Sequence, residues 1–529
     1  MKRKNNKKNV YVILSVLATL AVAVIAWFSL SGSDSEEKKV EQTNQSASLT
    51  YGFGGDPVSL NPINSNDLWG LKTINMIYSP LARTNNDGTV TNELAKSIRQ
   101  TEDGKTIIVK LRKDVKWSDG EKLTADDVVF TYTEKAKKEN GKYESLWVGD
   151  QPLTAEKVDD YTVKFNLPSP SAAAVNNITN ETYIIPEHVY KNTKDFSVND
   201  LSVYPTVGTG PYVLEKYTSG STLTLKANPN YYGGKVVIKK LNVRIIPNSD
   251  TLKVALQNGE VDAASVSSTD IADLKNSSLT SYTYSAGGIN YLGINSELVT
   301  DSRVRQAIFY ALDRSEINTG VFDSKKYFLE AKSFLPSDNT FYYKKTPAYN
   351  QNVKKAKSLL AEAGASNLTF TMAYDATNDT FVKEAAIIQE ELAKVGITVH
   401  LEAGDGDTIL AELKKNGTTK YPLFLRSYSM GNDPDTYKRL FQTGGASNYF
   451  KLANADIDAL FTKGVKELNK NKRQTIYDDL QTQLANRAVI YPISSDKGVV
   501  AVNNRIKGVK TENLYPIYTF GDWADLKAK

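Results

Sequence analysis

The stretch over residues 106–138 constrains the fold of this chain more than any other. Ile107, Val109 and Leu111 recur at every second position, which is the pattern of a strand with one face more buried than the other. The run Ser118-Asp119-Gly120 that follows is typical of a turn. The sequence therefore predicts a strand that leads into a tight turn.

The residues beyond this turn predict a helix. Thr124 precedes Asp127 by three positions, as in a variant capping box, and Asp126 and Asp127 lie where the helix dipole favours negative charge. Lysines at 135, 137 and 138 place the opposite charge at the other end. We interpret the two acids as helix-capping groups and not as a catalytic pair.

This strand, turn and helix resemble the signature of the peptide/nickel family (family 5) of extracytoplasmic solute-binding proteins. Members of that family are the receptors of oligopeptide and dipeptide ABC importers. The resemblance extends from residue 49 to most of the chain. It is carried by LRKDVKWSDG (111–120), LTADDVVF (123–130), VGTGPYVL (207–214), NPNYYGG (228–234), QNGEVD (257–262) and SRVRQAIFYALDR (302–314).

The charge balance of the chain argues against a nucleic-acid partner. Five of the 65 basic residues lie within residues 1–9, which contain no acid, and the rest of the chain has equal numbers of basic and acidic residues. The sequence contains no cysteine, which excludes disulfides, thiolate metal sites and lipid attachment through cysteine.

The N-terminal region predicts attachment to a membrane. Residues 10–30 form a run of 21 residues without a charge, long enough to span a bilayer, behind the basic tail 1–9. The positive-inside rule places that tail in the cytoplasm and the remainder outside the cytoplasmic membrane. We predict a transmembrane signal anchor over 10–30, with a cleaved signal peptide as the alternative, and a flexible linker over 31–48.

The second half of the chain has the pattern of an α/β lobe. Helical periodicity over 353–363 and 381–395 alternates with strand patterns over 368–374 and 397–401. Two late helices are predicted over 457–468 and 473–488.

The sequence lacks the common catalytic and cofactor motifs. It has no Gly-x-Ser-x-Gly elbow, no phosphate-binding loop and no His-Glu-x-x-His pair, and its two histidines, His188 and His400, have no neighbouring ligand of matching type. Asp405-Gly406-Asp407 lacks the remaining ligands of a calcium loop and is predicted to form a polar turn. We therefore expect no enzyme activity, no metal and no cofactor.

The family resemblance implies a Venus flytrap of the class II periplasmic-binding-protein-like type, with three lobes. Domain I would comprise 49–82, 207–288 and 494–529, domain II 83–206, and domain III, the α/β lobe, 289–493. A peptide would lie between domains I and III, add to a strand, and be enclosed by hinge closure before delivery to an ABC permease. The ectodomain is expected to be monomeric.

The same resemblance implies a set of ligand-contacting residues. They fall in the loop after the first strand, on the strand that enters domain III, and on a later domain III strand. The positions are Asn66, Asp67, Leu68, Trp69, Tyr291, Ser427, Tyr428, Ser429, Met430, Asn432 and Asp433.

One of these positions departs from the family pattern. Peptide binders of this family place an Asp four residues before the Pro that corresponds to Pro434, and it pairs with the ligand ammonium; here that position is Met430. The expected Trp three residues earlier is Ser427. Asp67 or Asp433 could replace the missing acid, or the ligand could carry no ammonium. A nickel chelate, a sugar, or a peptide-sensing role without transport are the alternatives.

Overall fold

The computed structural model describes residues 48–529 apart from 66, 86–88, 180–181, 198–206, 275–277 and 416–419. The predicted membrane helix 10–30 and all of the predicted linker except Ser48 lie outside these residues. In the portion that is described, none of the helices combines the length and apolarity needed to cross a bilayer.

A mixed sheet of twelve strands runs through the molecule. Its order is β2-β3-β4-β1-β5-β12-β7-β11-β9-β10, and β6 and β8 also pair with β12. In chain order the strands are β1 Ser48–Phe53, β2 Tyr212–Thr218, β3 Thr222–Ala227, β4 Lys240–Ile245, β5 Ala263–Val266, β6 Leu279–Ser285, β7 Gly288–Ile294, β8 Phe328–Glu330, β9 Thr369–Asp375, β10 Thr398–Gly404, β11 Leu423–Ser429 and β12 Ile490–Asn503.

The longest strand, β12, belongs to both halves of this sheet. Its first part pairs with β7 and β8, and its second part with β5 and β6, all antiparallel. Residues 490–495 and 499–502 are buried, whereas Asp496, Lys497 and Gly498 between them are only half-buried. Two apolar runs joined by a short polar one thus give a strand whose ends lie in two cores and whose middle is accessible.

Within the described chain, fourteen α-helices surround the sheets. They are α1 Leu68–Ile77, α2 Ala125–Lys135, α3 Ala174–Thr179, α4 Glu187–Tyr190, α5 Ser249–Gln257, α6 Ile271–Leu274, α7 Ser302–Ala311, α8 Arg314–Val321, α9 Val353–Glu362, α10 Asp379–Ala393, α11 Gly406–Lys414, α12 Lys438–Phe441, α13 Ala455–Lys466 and α14 Lys470–Arg487.

Residues 106–138 form part of a separate four-stranded sheet and the helix that follows it. The predicted strand is Thr106–Leu111 and the predicted helix is α2. The capping box is confirmed: the Thr124 side chain accepts from the N–H of Asp126, and the Thr124 N–H donates to Asp127 at 2.9 Å. The other strands of this sheet are Ala95–Gln100, Thr154–Asp159 and Thr162–Asn166. Separate two-stranded sheets pair Ala82–Thr84 with Val90–Asn92, Trp147–Val148 with Gln151–Pro152, Ile506–Lys507 with Lys527–Ala528, and Leu514–Tyr515 with Thr519–Phe520.

The apolar side chains form four buried clusters. One cluster holds side chains from both domain I and domain II, from Leu49 to Leu526, and two lie in domain III on either side of its sheet. The fourth joins β5 and α5 to β8 and the second part of β12. The domain limits drawn from the sequence stay a prediction, and we keep their names for these segments.

The secondary structure predicted for domain III is confirmed, with ends that shift by a few residues. Strands β9 and β10 flank α10 as expected, and the two late helices are α13 and α14. The polar turn predicted at Asp405-Gly406-Asp407 is wrong. Asp405 is the N-cap of α11 and accepts from the N–H of Thr408 at 2.9 Å, so an Asp-Gly pair here begins a helix.

Helix α10 carries two buried acids. Both carboxylate oxygens of Glu384 are buried without a hydrogen-bond partner, and burial, with a smaller effect of Asp496, raises its pKa. Both Glu391 oxygens accept from the N–H of Asp313, at 3.1 and 3.0 Å, yet burial raises the pKa of Glu391 to about 8. We therefore expect both acids to hold a proton at a higher pH than an exposed glutamate does.

We expect Glu391→Gln to reduce the pH dependence of stability. The folded chain keeps the Glu391 proton up to a pH of about 8, while the unfolded chain loses it near its ordinary pKa of 4.5. The free energy of unfolding therefore falls as the pH rises through this window, by about 3–4 kcal/mol between pH 5 and pH 8 from this group. Urea unfolding at pH 5 and pH 8 measures the difference.

The control for this experiment is Glu390→Gln on the same helix. Glu390 is exposed and pairs with Lys394 at 3.3 Å, so its removal should leave the fall in stability between the two pH values intact. A Glu391→Gln variant with the pH dependence of the natural chain would contradict the prediction.

Candidate functional site

A cavity of about 790 Å³ lies where the accessible middle of β12 passes between the domains. Its volume is in the range of sites that take small molecules and peptides, which occur preferentially between domains. All three domains contribute to its wall. Representative lining residues are Arg83 and Glu93 from domain II, Tyr284 and Asp496 from domain I, and Leu329 from domain III.

The wall near β12 is shaped by a close approach of backbone and ring. A Cβ at Gly498 would lie 2.4 Å from the Tyr284 ring, so only glycine leaves room for this tyrosine. Burial raises the pKa of Tyr284. The cavity thus presents a neutral aromatic hydroxyl beside the polar section of β12.

The predicted ligand loop forms the start of α1. Asp67 is the N-cap: its Oδ1 accepts from the N–H of Gly70 at 2.7 Å, and its Oδ2 from the N–H of Ser59 at 3.1 Å. A Cβ at Gly70 would lie 2.1 Å from the Ser59 carbonyl oxygen, which explains the glycine. The Asp67 carboxylate is therefore occupied by backbone donors. Asn66 lies outside the described residues.

Trp69 and Leu68 follow at the first turn of this helix. The Trp69 ring packs on Phe53 with ring centroids 5.0 Å apart, and the Nζ of buried Lys72 lies 5.0 Å from the Trp69 ring. Burial lowers the pKa of Lys72 to about 8. Leu68 is exposed. Trp69 thus covers a buried cation, and Leu68 is the residue of the pair that faces solvent.

Two predicted tyrosines lie inside the domain III core. Tyr291 on β7 is 1% exposed and packs against Tyr428 on β11 at 5.3 Å between ring centroids. The Tyr428 hydroxyl donates to the carbonyl oxygen of Phe334 at 2.5 Å. Burial raises the pKa of both hydroxyls. Both rings belong to the buried cluster on one face of the domain III sheet.

Strand β11 exposes alternate residues at its end. Ser427 and Ser429 are exposed, on either side of buried Tyr428, and the Ser429 Oγ donates to the Gly287 carbonyl oxygen at 3.3 Å. Met430 packs at the edge of the aromatic cluster. The position where the family resemblance implies an acid therefore holds an apolar side chain that is half-buried.

Asn432 joins domain III to domain II. Its Nδ2 donates to the carbonyl oxygen of Asn85 at 2.5 Å, and Asn85, which lines the cavity, accepts at its Oδ1 from the Tyr515 hydroxyl at 2.9 Å. Residues far apart in the chain are thus held together at one edge of the cavity.

Asp433 forms a buried ion pair. Its two oxygens accept from the Nη1 and Nη2 of Arg473 at 2.9 and 2.8 Å, and both side chains are 7% exposed. Asp433 also caps the short 3-10 turn Pro434–Tyr437. Its carboxylate is therefore engaged by a structural partner within domain III.

None of the ten predicted site residues that the structure describes is among those lining the cavity. Ser427, Tyr428, Ser429 and Tyr291 come together on β7 and β11, and Asn432 reaches the cavity edge through Asn85. Their contact with a ligand stays a prediction. Asp496 was missed from the sequence, although the polar run between two apolar runs of β12 signals an accessible segment.

The chain matches a family of known proteins over most of its length. Residues 89–449 match the family described as bacterial extracellular solute-binding proteins, family 5 middle. The chain is 29% identical to the oligopeptide-binding protein AppA of Bacillus subtilis over 553 aligned residues, which cover 99% of both chains.

Solved structures share the fold as well. The ABC transporter substrate binding protein CtaP from Listeria monocytogenes is 32% identical, with a TM-score of 0.87 over 92% of this chain and 99% of that one. The structure of AppA from Bacillus subtilis in complex with a nonapeptide is 26% identical, with a TM-score of 0.75 over 92% and 99%. The mixed α/β fold is therefore that of the periplasmic-binding-protein-like structures.

We expect Asp433→Asn to destabilise the protein by about 3 kcal/mol, because it leaves the Arg473 guanidinium buried without its counter-charge. Urea unfolding measures the loss. Asp126→Asn is the matched control, since Asp126 forms an exposed ion pair with Lys157 and its removal should leave the unfolding curve nearly unchanged. Equal stability of the two variants would contradict the structural role of the Asp433–Arg473 ion pair.

We expect Asn432→Ala to loosen the contact between domains II and III. Loss of one hydrogen bond, about 1 kcal/mol, should raise hydrogen exchange in the strand Ala82–Thr84 about fivefold. Gln257→Ala is the control, because its Nε2 donates to the carbonyl oxygen of Asp273 within domain I, away from the measured strand. Unchanged exchange in Asn432→Ala would show that this bond does not hold the domains together.

Proposed function

Because the chain belongs to the bacterial extracellular solute-binding proteins of family 5, we propose that it captures oligopeptides for an ABC importer. The peptide occupies the cavity of about 790 Å³ and is handed to a membrane permease. The observation that carries this proposal is the position of the cavity, at the point where one strand passes between domains and all three domains supply the wall. The protein binds its solute without turnover.

The end of β11 supports a peptide as the solute. In the described residues its ladder with β9 ends at Phe424, whereas its pairing with β7 continues to Ser429. The backbone of its last five residues is therefore paired with β7 on one side and has no strand partner on the other. An extended peptide can satisfy such an edge by adding to it as a strand. The relatives named for oligopeptide binding, and the nonapeptide bound in the Bacillus subtilis structure, agree with this choice.

We propose that the residues predicted from the sequence contact the ligand in addition to the residues that line the cavity. Leu68, Ser427 and Ser429 are exposed, and Asn432 holds the edge of the cavity. Asp67 and Asp433 orient the chain around them, because their carboxylates are already bonded to backbone donors and to Arg473.

We further propose that residues 10–30 anchor the protein in the cytoplasmic membrane as a monomer. Their 21 uncharged residues behind a basic tail support a spanning helix with the folded part outside. The linker 31–48 would let the folded part reach a permease beside the anchor.

Native mass spectrometry of the full-length chain, as purified in mild detergent, tests the proposed solute. We expect a bound species whose released mass and fragmentation identify a peptide. Adding that peptide to the emptied chain should raise the melting temperature, since a ligand at 100 times its Kd stabilises by about 2.7 kcal/mol.

The same experiment separates the alternatives. A released nickel chelate or sugar would overturn the peptide assignment, and a peptide cut during incubation would overturn binding without turnover. A peptide bound by a chain that captures no permease on cross-linking in its native membrane would favour a sensing role.

A further inference from the structure

A second, small cavity lies inside domain III, where the start of α8, the segment after β8, helix α14 and the first part of β12 meet. Its volume is about 20 Å³, which is room for about one species the size of a water molecule or a small ion. It shares no lining residue with the interdomain cavity, and no acid is among the described residues of its wall. The polar side chains that line it are Arg314, Lys332, Ser333, Thr346, Tyr349 and Gln481.

The neutral side chains of this wall have already used their donors. The Ser333 Oγ donates to the Gln481 Oε1 at 2.8 Å, and the Gln481 Nε2 donates to two carbonyl oxygens, at 2.9 and 3.0 Å. The hydroxyls of Thr346 and Tyr349 also donate to carbonyl oxygens, at 2.7 and 3.0 Å. These four side chains therefore have no hydrogen left for a species bound in the cavity.

Arg314 is a buried cation without an acidic partner. It is 6% exposed, its Nε donates to the carbonyl oxygen of Pro492 at 2.8 Å, and its guanidinium carbon lies 4.3 Å from the centroid of the Tyr491 ring. Within the described chain it forms no ion pair, and neither of its Nη atoms has a hydrogen-bond partner. Since neither Nη is among the unpaired polar atoms that are closed off from solvent, this edge of the guanidinium opens to the cavity that Arg314 lines.

Comparison with other buried cations singles out Arg314. Arg473 pairs with Asp433 at 2.8 Å. Arg305 donates to three carbonyl oxygens, at 2.7, 2.8 and 3.0 Å. Lys72 donates to a serine hydroxyl at 3.2 Å and lines neither cavity. Of these four cations, Arg314 alone combines burial, the lack of an acid and open donors on a cavity wall.

The acids in the neighbourhood of Arg314 do not supply the missing charge. Asp313, Glu330 and Glu391 all raise the pKa of Tyr491, the ring on which Arg314 lies, but none of them lines the cavity. Asp313 caps α8 and accepts from two backbone N–H groups, at 2.8 and 3.1 Å. Burial raises the pKa of Glu391 to about 8, so this acid carries little charge at neutral pH.

The second cation of the wall is Lys332, two residues after β8. It is exposed and has no ion pair in the part of the chain that the structure describes. The side-chain donors that remain open on this wall therefore belong to two cations, Arg314 and Lys332. Hydrogen bonds from a charged guanidinium to an anion are strong, whereas a neutral species would leave the buried charge without compensation.

We propose that this cavity binds a small monatomic anion of the halide class, chloride in particular, with Arg314 as its principal donor. The anion supplies the counter-charge inside domain III, where α8, α14 and β12 meet. A volume of about 20 Å³ is too small for a phosphate or a carboxylate with its substituents. The site goes beyond the proposed function, because it shares no residue with the interdomain cavity and needs no peptide.

Melting curves of the full-length chain in mild detergent test the proposal. The probe is sodium chloride, exchanged stepwise for sodium gluconate at constant ionic strength, since gluconate is too large for the cavity. We expect a melting temperature that rises with chloride and saturates, by about 2–3 °C at 100 times the Kd, because the anion binds the folded chain alone. Arg314→Gln should lose this rise.

Arg303→Gln is the matched control from the same domain. Arg303 is an arginine of α7 whose side chain is 47% exposed, and it pairs with Asp301 at 2.6 Å, so its removal should leave the full chloride-dependent rise. An equal loss of the rise in both variants would show a general effect of positive charge and would overturn the site.

Bromide locates the anion directly and does not depend on the folding of a variant. Crystals of the natural full-length chain are soaked in sodium bromide, and anomalous diffraction is measured at the bromine absorption edge. We expect a peak in the cavity within hydrogen-bond distance of the Arg314 Nη atoms.

Three results would overturn the proposal. The first is the lack of a bromide peak at Arg314. The second is a peak there together with a melting temperature that does not respond to chloride, which would mean an adventitious ion only. The third is a chloride-dependent rise that persists in full in Arg314→Gln.

Discussion

The structure depends on one strand that two domains share. Strand β12 is hydrogen-bonded to β7 and β8 at one end and to β5 and β6 at the other, so the two halves of the sheet have a common member. The fourth apolar cluster packs across the same junction. Both ends of β12 are buried, and its middle, residues 496–498, is only half-buried. The cavity opens at this middle, so the cavity wall and the junction share the same few residues.

The buried carboxylates fall into two groups: those paired with an arginine of the chain and those bonded only to neutral donors. Arg473 and Asp433 hold each other inside domain III, and Arg505 holds Asp262 through a bond of 2.6 Å beside β1 and β5. In each case the counter-charge comes from the chain, and removing one partner would leave an uncompensated ion. Asp496 is held by the neutral donors Ser494 and Asn290 instead, and among the described residues no cation forms an ion pair with it. The distinction lies in the partner that each acid has, since acidity and burial alone do not separate these groups.

Local patterns in the sequence predicted much of the fold, while the site depended on contacts between distant residues. The capping box at Thr124 and the periodic elements of domain III are set by neighbours a few positions away. Asp405 shows the limit of that reasoning, because an N-cap and a polar turn share the same short sequence. The pairing of Asp433 with a residue 40 positions later, and the passage of β12 between domains, follow from tertiary structure alone. The packing of Met430 against the aromatic cluster of domain III is likewise a tertiary contact that the sequence does not reveal.

Asn85 makes one contact through its backbone and another through its side chain, and a substitution affects the two differently. Asn432 bonds the backbone carbonyl of Asn85, whereas Tyr515 bonds its side chain. A substitution at position 85 therefore changes the second contact and keeps the first, which only a change at 432 can remove. The link between domains II and III and the link to the C-terminal segment meet at one residue but are genetically separable. Divergence at position 85 can alter one side of the cavity edge while the domains stay joined on the other.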